Sequence, residues 1–198
     1  MARTIAKDHE EKRGHIMTCA AKIFATLGYH KASMTLLAQE CGMSKANLYH
    51  YYDSKDAILF DLLDLYLFNL RNRILILDLR GMSSEAQFRH VVREILLAYE
   101  GQDDQHKVQM NALESLPKDQ QEHLRNYQRS LVGFMSQIIA YAGPESLSDD
   151  LNRLRGVTMS VFGMLNWFHM WNAKANQQER EEYATLVCDL TLKGLNEM

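Results

Sequence analysis

The chain has only two prolines among its 198 residues. It also has no run of alternating β-branched residues longer than about four, so it lacks the usual pattern of a half-buried strand. Eleven methionines, together with many leucines and alanines, favour helices over sheets. The sequence therefore predicts an all-α fold with about nine helices.

Cysteine is scarce as well, and its spacing excludes two classes of site. The three cysteines, Cys19, Cys41 and Cys188, are an odd number and lie far apart in apolar patterns. They indicate buried thiols in a reducing cytoplasm, not a disulfide framework or a metal knuckle. The histidines are scattered without metal-ligand spacing, so we expect no metal and no cofactor.

No long hydrophobic run is present. The most apolar stretch, 157–171, is shorter than the roughly 18 residues that a membrane span needs, and Asn166 and His169 interrupt it. The charged N-terminus has no apolar core of the kind found in signal peptides. We therefore expect a soluble cytoplasmic protein that does not contact membranes.

The charge is unevenly distributed, although the net charge is only −3. Residues 1–55 hold eight Lys or Arg and five Asp or Glu, whereas residues 56–198 hold fourteen and twenty. A basic head on an acidic body is the asymmetry expected when one end meets phosphate.

Apolar periodicity predicts the helices and a division of the chain near residue 53. We expect a helix-turn-helix domain at 1–53 and an effector-binding and dimerisation domain at 54–198. The first helix begins near Asp8, and a long fourth helix runs to about Gly81. The other expected helices cover 34–41, 45–51, 84–100, 104–115, 118–142, 147–173 and 178–196.

The most informative segment is 33–52, which predicts two short helices joined by a tight turn at Gly42. Its apolar residues face inward, which leaves the outer face of the second helix free to enter a major groove. There Asn47 can bind adenine, and Lys45 can reach guanine or phosphate. Any pair of short helices could share this spacing, with the tyrosines merely packing.

Residues 42–59 (GMSKANLYHYYDSKDAIL) resemble the characteristic motif of the TetR family of repressors, and 21–29 resemble the end of that family's first helix. The resemblance covers about residues 12–62. It implies a homodimer that binds a palindromic double-stranded DNA operator and releases it when a small-molecule effector enters the C-terminal domain. The predicted DNA-binding residues are Ser33, Thr35, Ser44, Lys45, Ala46, Asn47, Tyr49, His50, Tyr51 and Lys55.

One position departs from the family pattern. Thr35 lies where many relatives have arginine, so the second helix offers a hydroxyl in place of a strong charge. Operator affinity then depends more on Lys55 and on the N-terminal Arg3 and Lys7, which could equally be solvated charges.

The C-terminal body predicts a subunit interface and a pocket. Helix 156–171 is hydrophobic on all sides, with small residues along one edge, so we expect it and the last helix to form a four-helix dimer interface. The predicted effector-binding residues are Met110, Met135, Asn166, Trp167, His169 and Trp171. Residues 166–171 resemble family members that sense acyl-CoA or aromatic-CoA thioesters. The stretch 172–176 lacks their arginine-proline-rich loop, and any other apolar effector stays open.

These patterns predict a transcription repressor and not an enzyme. Two alternatives remain: a constitutive helix-turn-helix protein without effector, and a helical-bundle enzyme. Glu94, Glu100 and Glu114 do not have the carboxylate spacing that the enzyme would need. Activation in place of repression also stays open, because promoter geometry decides it.

Overall fold

The computed structural model describes residues 2–197, with side chains described from residue 9 onward. Arg3 and Lys7 therefore lie outside the described side chains. Over the described range the fold is all-α, which confirms the predicted class. The ten α-helices are α1 (Ala2–Leu27), α2 (Met34–Glu40), α3 (Lys45–Tyr51), α4 (Lys55–Leu75), α5 (Ser84–Ala98), α6 (Asp103–Ala112), α7 (Lys118–Ala142), α8 (Glu145–Asp149), α9 (Leu151–Trp171) and α10 (Gln177–Asn196).

Helix α4 ends at Leu75, earlier than the apolar pattern predicts. Beyond it, the Asp78 carboxylate accepts hydrogen bonds from the Arg80 backbone N–H at 3.2 Å and from its guanidinium at 2.8 and 2.6 Å. Gly81 follows in the left-handed region, with φ 77°. These local bonds favour a turn, and Ile76 stays 79% exposed, so periodicity alone overextends the helix.

The segment predicted as one helix over 147–173 is two helices, which raises the predicted count of about nine to ten. Asp150 adopts a non-helical conformation between α8 and α9, with φ −106° and ψ 89°. Its carboxylate accepts hydrogen bonds from the N–H groups of Asn152 and Arg153 at 3.1 and 2.9 Å. An aspartate in this position stabilises a helix start, which explains the break.

The chain divides into two compact units. The first contains the described residues up to Leu67 together with Asp104–Leu124, and the second contains Phe68–Asp103 and the described residues from Arg125 onward. In the first unit α1 packs on α2 and α2 packs on α3. In the second, α10 packs on α5 and α9, and α8 also contacts α9. The boundary predicted at residue 53 concerns function and not compactness, and it stays a prediction.

A buried arginine holds the second unit together at the start of α10. Arg180 is 1% exposed, and its guanidinium donates to the carbonyls of Ala175 and Leu96 at 3.0 and 3.4 Å. It also pairs with the Asp103 carboxylate at 3.2 Å and lies over the Phe168 ring at 5.8 Å. These partners replace the water that the buried charge loses.

Among the described helices, none combines the length and the apolar character that a membrane span requires.

Candidate nucleic-acid interface

The turn between α2 and α3 is fixed by backbone hydrogen bonds and one glycine. The Gly42 N–H donates to the Gln39 carbonyl at 3.1 Å, and the Met43 N–H donates to the Ala38 carbonyl at 3.0 Å. Gly42 has φ 64°, a conformation that costs a residue with a side chain about 1–2 kcal/mol. The sequence prediction of a tight turn at Gly42 therefore agrees with the backbone geometry.

Each short helix begins at a serine. The Ser33 hydroxyl accepts a hydrogen bond from the Leu36 N–H at 3.2 Å, and the Ser44 hydroxyl accepts one from the Asn47 N–H at 3.1 Å. Such caps are typically worth about 1 kcal/mol each, which matters for helices of only seven residues. Both serines are exposed at the helix N-termini, where anions bind favourably.

Helix α3 has one buried face and one free face. Leu48 is fully buried and anchors it against α2, whose Leu37 and Ala38 are buried as well. The free face carries five of the predicted reading residues, all exposed: Lys45, Ala46, Asn47, Tyr49 and His50. The Lys45 ammonium lies 5.8 Å from the centre of the Tyr49 ring, one turn along the helix. The structure thus brings a cation, an amide and two further donors together on one exposed surface.

The two tyrosines at the end of α3 differ in their surroundings. Tyr51 is half-buried, with its ring 4.9 Å from that of His9 and 5.6 Å from that of His50. Tyr52 is buried, and its hydroxyl donates to the Asp61 carboxylate on α4. Burial, and then this hydrogen bond, raise the pKa of Tyr52 to about 12, so it stays a neutral donor at physiological pH.

Asp61 joins three parts of the first unit. Besides Tyr52, it accepts a hydrogen bond from the Arg13 guanidinium of α1 at 2.5 Å. The hydrogen bonds to Tyr52 and Asp61 raise the pKa of Arg13 above its ordinary value. Through this cluster of Arg13, Tyr52 and Asp61, α4 is bonded to α1 and to the end of α3.

We expect Asp61→Ala to lower the free energy of unfolding by about 1–3 kcal/mol, because Arg13 and Tyr52 both lose their acceptor. Denaturant unfolding followed by circular dichroism measures the change. Asp53→Ala, which removes an exposed carboxylate from the same unit, serves as the matched control and should shift stability by less than about 0.5 kcal/mol. Equal effects of the two variants would show that the cluster adds no stability.

Lys55 has partners within the protein. Its ammonium donates to the carbonyls of Tyr29 and Ala32 at 3.1 and 3.2 Å and lies 4.4 Å from the centre of the Tyr29 ring. The Tyr29 hydroxyl in turn donates to Asp56. Lys55 therefore braces the loop before α2, a role that its sequence position alone does not reveal. The phosphate contact predicted for Lys55 remains a prediction.

On α2, the predicted contact residues Ser33 and Thr35 are both exposed. The helix itself, MTLLAQE, contains no lysine or arginine. The DNA contact predicted for α2 therefore depends on hydroxyl and backbone groups.

The six predicted effector-binding residues occupy different environments. Met135 is fully buried, whereas Met110 is 46% exposed and belongs to the other compact unit. Trp167 and Trp171 are 59% and 60% exposed on the outer side of α9. The Asn166 side chain accepts a hydrogen bond from the Tyr99 hydroxyl at 2.9 Å, and His169 Nδ1 donates to the Asn166 carbonyl at 2.8 Å.

An apolar groove of about 430 Å³ lies on the surface of α9 and α10. Gly156 and Ser160 of α9 face Leu190 and Gly194 of α10 across it. Gly156 and Ser160 belong to the small-residue edge expected on this helix, so part of that edge lines the groove. None of the six predicted effector-binding residues is among the described residues that line it.

The outer face of α9 and α10 is rich in exposed large apolar side chains. Five of them are between 51% and 59% exposed in the single chain, namely Met159, Trp167 and Met170 on α9 and Leu186 and Leu190 on α10. An apolar face of this extent is unusual on a monomer and marks an interaction surface.

Two family models match the chain and together span most of it. A model described as "Bacterial regulatory proteins, tetR family" matches residues 16–62, which contain α2, α3 and their turn. A model described as "Tetracyclin repressor-like, C-terminal domain" matches residues 81–195.

Known proteins and structures show the same likeness. The chain is 34% identical over 91 residues to the uncharacterized HTH-type transcriptional regulator YuxN of Bacillus subtilis, a match that covers 46% of this chain and 30% of that protein. It spans about a third or less of the length of the first curated relatives that it matches. A TetR-family transcriptional regulator structure from Bordetella parapertussis is 29% identical, with a TM-score of 0.86, over 94% of this chain and 96% of the other.

AibR in complex with isovaleryl coenzyme A and operator DNA has the same fold. Its TM-score is 0.75 at 18% identity, over 90% of this chain and 97% of that one. The named relatives are described as regulators and not as enzymes, so the helical-bundle enzyme alternative gains no support.

Proposed function

This chain belongs to the TetR family of helix-turn-helix transcriptional regulators, and we propose that it is a repressor released from a palindromic operator by a hydrophobic small molecule. The observation that carries the DNA-binding part is the free face of α3, where Lys45, Asn47, Tyr49 and His50 are exposed above the buried Leu48.

In this proposal each residue of the free face has its own role. Asn47 reads adenine through its amide, and Lys45 binds guanine or a phosphate. Tyr49 and His50 donate to phosphate oxygens, and the Ala46 methyl group contacts a thymine methyl. Four further residues contact the sugar-phosphate backbone from the edges of this face: Ser33, Thr35, Ser44 and Tyr51.

We infer a homodimer from the apolar face of α9 and α10. A twofold axis through the groove pairs this face with its own copy and buries the exposed Leu190 and Met159. Each subunit of the proposed dimer supplies one α3 helix, and each α3 reads one half-site. A palindromic operator with half-sites about 34–36 Å apart matches this symmetry.

We propose a hydrophobic effector, and acyl-CoA thioesters are among the candidates. AibR, which shares the fold, was crystallised with isovaleryl coenzyme A. Met110, Met135, Asn166, Trp167, His169 and Trp171 remain the proposed contacts, although the two exposed tryptophans fit the subunit interface better. A melting-temperature shift across a panel of acyl-CoAs and other apolar compounds supports an effector. A flat response favours the constitutive alternative.

For release, the effector must bind one of two protein conformations more tightly than the other. The free energy that couples binding at two sites in this way is typically about 1–3 kcal/mol. We propose that effector binding tilts α4. The bonds of Asp61 to Arg13 and Tyr52 would carry this tilt to α1 and to the end of α3. In a dimer, the change alters the distance between the two reading helices.

Salt-titrated DNA binding tests the DNA-binding part, with a duplex that the protein selects from a random pool. We expect affinity to fall steeply with salt, because lysines displace counterions from phosphates. Lys55→Met keeps the alkyl chain but removes the ammonium, so it should lower the salt slope by about 1 if Lys55 also touches phosphate. An unchanged slope would restrict Lys55 to bracing the Tyr29–Ala32 loop. Failure to select any duplex would contradict the proposed function.

A further inference from the structure

Two cysteines that are 22 positions apart in sequence meet between α1 and the end of α2. Cys19 lies on α1 and Cys41 directly follows α2, and they are 8% and 7% exposed. The Cys19 thiol donates to the carbonyl of Glu40, the residue before Cys41, at 3.7 Å. Burial, followed by a hydrogen bond with the Cys19 side chain, raises the pKa of Cys41 to about 12. The two buried cysteines thus lie at the same contact between α1 and the end of α2.

A histidine completes the cluster. His15 lies one turn before Cys19 on α1, and its Nε2 is 3.1 Å from the Cys41 carbonyl oxygen. Since a carbonyl only accepts hydrogen bonds, the neutral ring carries its proton on Nε2. Both ring nitrogens lie near the Cys19 sulfur, Nε2 at 3.7 Å and the unprotonated Nδ1 at 4.0 Å. The ring can therefore accept the Cys19 proton, and its exposed position gives this proton a route to water.

We propose that Cys19 and Cys41 form a reversible disulfide when the protein meets a hydroperoxide, and that this modification weakens DNA binding. The free thiols of the structure are the resting form. The site lies inside the helix-turn-helix unit, so it acts on the DNA-reading helices without an effector.

The hydroperoxide is the two-electron oxidant that converts the two thiols to a disulfide. His15 takes the Cys19 proton, and the thiolate attacks the outer peroxide oxygen. The O–O bond breaks and an S–O bond forms, and the leaving alkoxide (hydroxide, from hydrogen peroxide) takes the proton from His15 and departs as the alcohol or water. The Cys41 sulfur then attacks the sulfenic sulfur, so that an S–S bond forms and the S–O bond breaks. The departing hydroxide takes the Cys41 proton as water.

The position of Cys41 connects the bond to DNA binding. Cys41 ends α2 and is followed by Gly42, whose turn sets the direction of α3. A disulfide requires the two Cβ atoms to come within about 3.5–4.5 Å and fixes the torsion between them. The Glu40 carbonyl also loses its thiol donor. Closing the bond therefore ties the end of α2 to α1 and shifts the turn that aims α3.

Peptide mapping of the full-length protein after stoichiometric hydrogen peroxide tests the modification. The expected product is a Cys19–Cys41 linked peptide that dithiothreitol returns to two free thiols. Cys188 is the internal control, because it is buried in the other compact unit, away from Cys19 and Cys41. Recovery of Cys19 and Cys41 unmodified, or as separate sulfinic acids, would overturn the inference, and this result depends on no variant.

A second measurement tests the effect on DNA. For the duplex that reduced protein selects from a random pool, peroxide should weaken binding by about tenfold, within the range of typical coupling. Cys19→Ala should abolish this response, whereas Cys188→Ala should preserve it. An unchanged affinity of the disulfide form would overturn the regulatory role. If reduced protein selects no duplex, the proposed function fails, while the mapping still decides whether the disulfide forms.

Discussion

Leu190→Asp should convert the protein from a dimer to a monomer and weaken binding to its operator by about 10²–10⁴-fold. Leu190 is 59% exposed in the single chain and lines the apolar groove with Gly156 and Ser160. In the proposed dimer, a carboxylate at this position is buried near its own symmetry copy. Leaving an unpaired charge in such a place is strongly unfavourable, so the subunits separate.

The loss of DNA affinity follows from geometry and not from any contact with DNA. A dimer binds its second half-site as an intramolecular event, whereas a monomer has only one reading helix. Sedimentation velocity measures the oligomeric state, and fluorescence anisotropy with a selected duplex measures the affinity. Ile76→Asp is the matched control, because Ile76 is a 79% exposed aliphatic residue outside α9 and α10. A dimeric Leu190→Asp variant would overturn the proposed interface.

The helix-turn-helix could be predicted from sequence because its determinants are local. The Ser44 cap, the Gly42 turn and the buried Leu48 lie within seven residues of one another, and α3 has the predicted bounds. The overextended α4 is the opposite case. Its apolar pattern continues past Leu75, but the bonds between Asp78 and Arg80 stop the helix, and periodicity does not contain them.

The sequence does not show which side chains bond to residues that are far away along the chain. Arg180 occurs in a polar stretch that resembles a solvated surface, yet it is buried against Asp103 and the Leu96 carbonyl. Lys55 looks like a free cation at a helix start until its bonds to the Tyr29 loop are seen. For the same reason the sequence does not show the bonds of Asp61 to Arg13 and Tyr52. An aspartate on α4 gives no local signal of a partner 48 positions away.

The apolar character of α9 could be recognised, but its two faces could not be told apart. Leu165 and Phe168 turn inward and are almost fully buried, whereas Trp167 and Trp171 turn outward. In a helix that is apolar all round, a pocket residue and an interface residue have the same sequence appearance. Burial in the folded chain separates the two sets, and Asn166, next to Leu165, accepts a hydrogen bond from the buried Tyr99.

Asn47→Ala should reduce the sequence preference of the protein while leaving its affinity for random DNA nearly unchanged. Asn47 is exposed on the free face of α3, where its amide can donate to and accept from one adenine edge. Loss of such a bidentate contact typically costs about 1–3 kcal/mol at the preferred base, or about 5–150-fold in affinity. The salt slope should stay the same, because no charge is removed.

Lys45→Ala provides the contrast, since it removes a cation two positions away on the same face. If Lys45 binds phosphate, its loss weakens binding to all duplexes equally and lowers the salt slope by about 1. Selection from a random pool, followed by salt-titrated anisotropy with the selected duplex and with a single-base variant, separates the two effects. In Asn47→Ala the backbone N–H of position 47 can still bond to the Ser44 hydroxyl, so α3 stays capped. A change in base preference then reports on the lost side-chain amide alone. Identical base preferences of wild type and Asn47→Ala would move the reading role to another residue of α3.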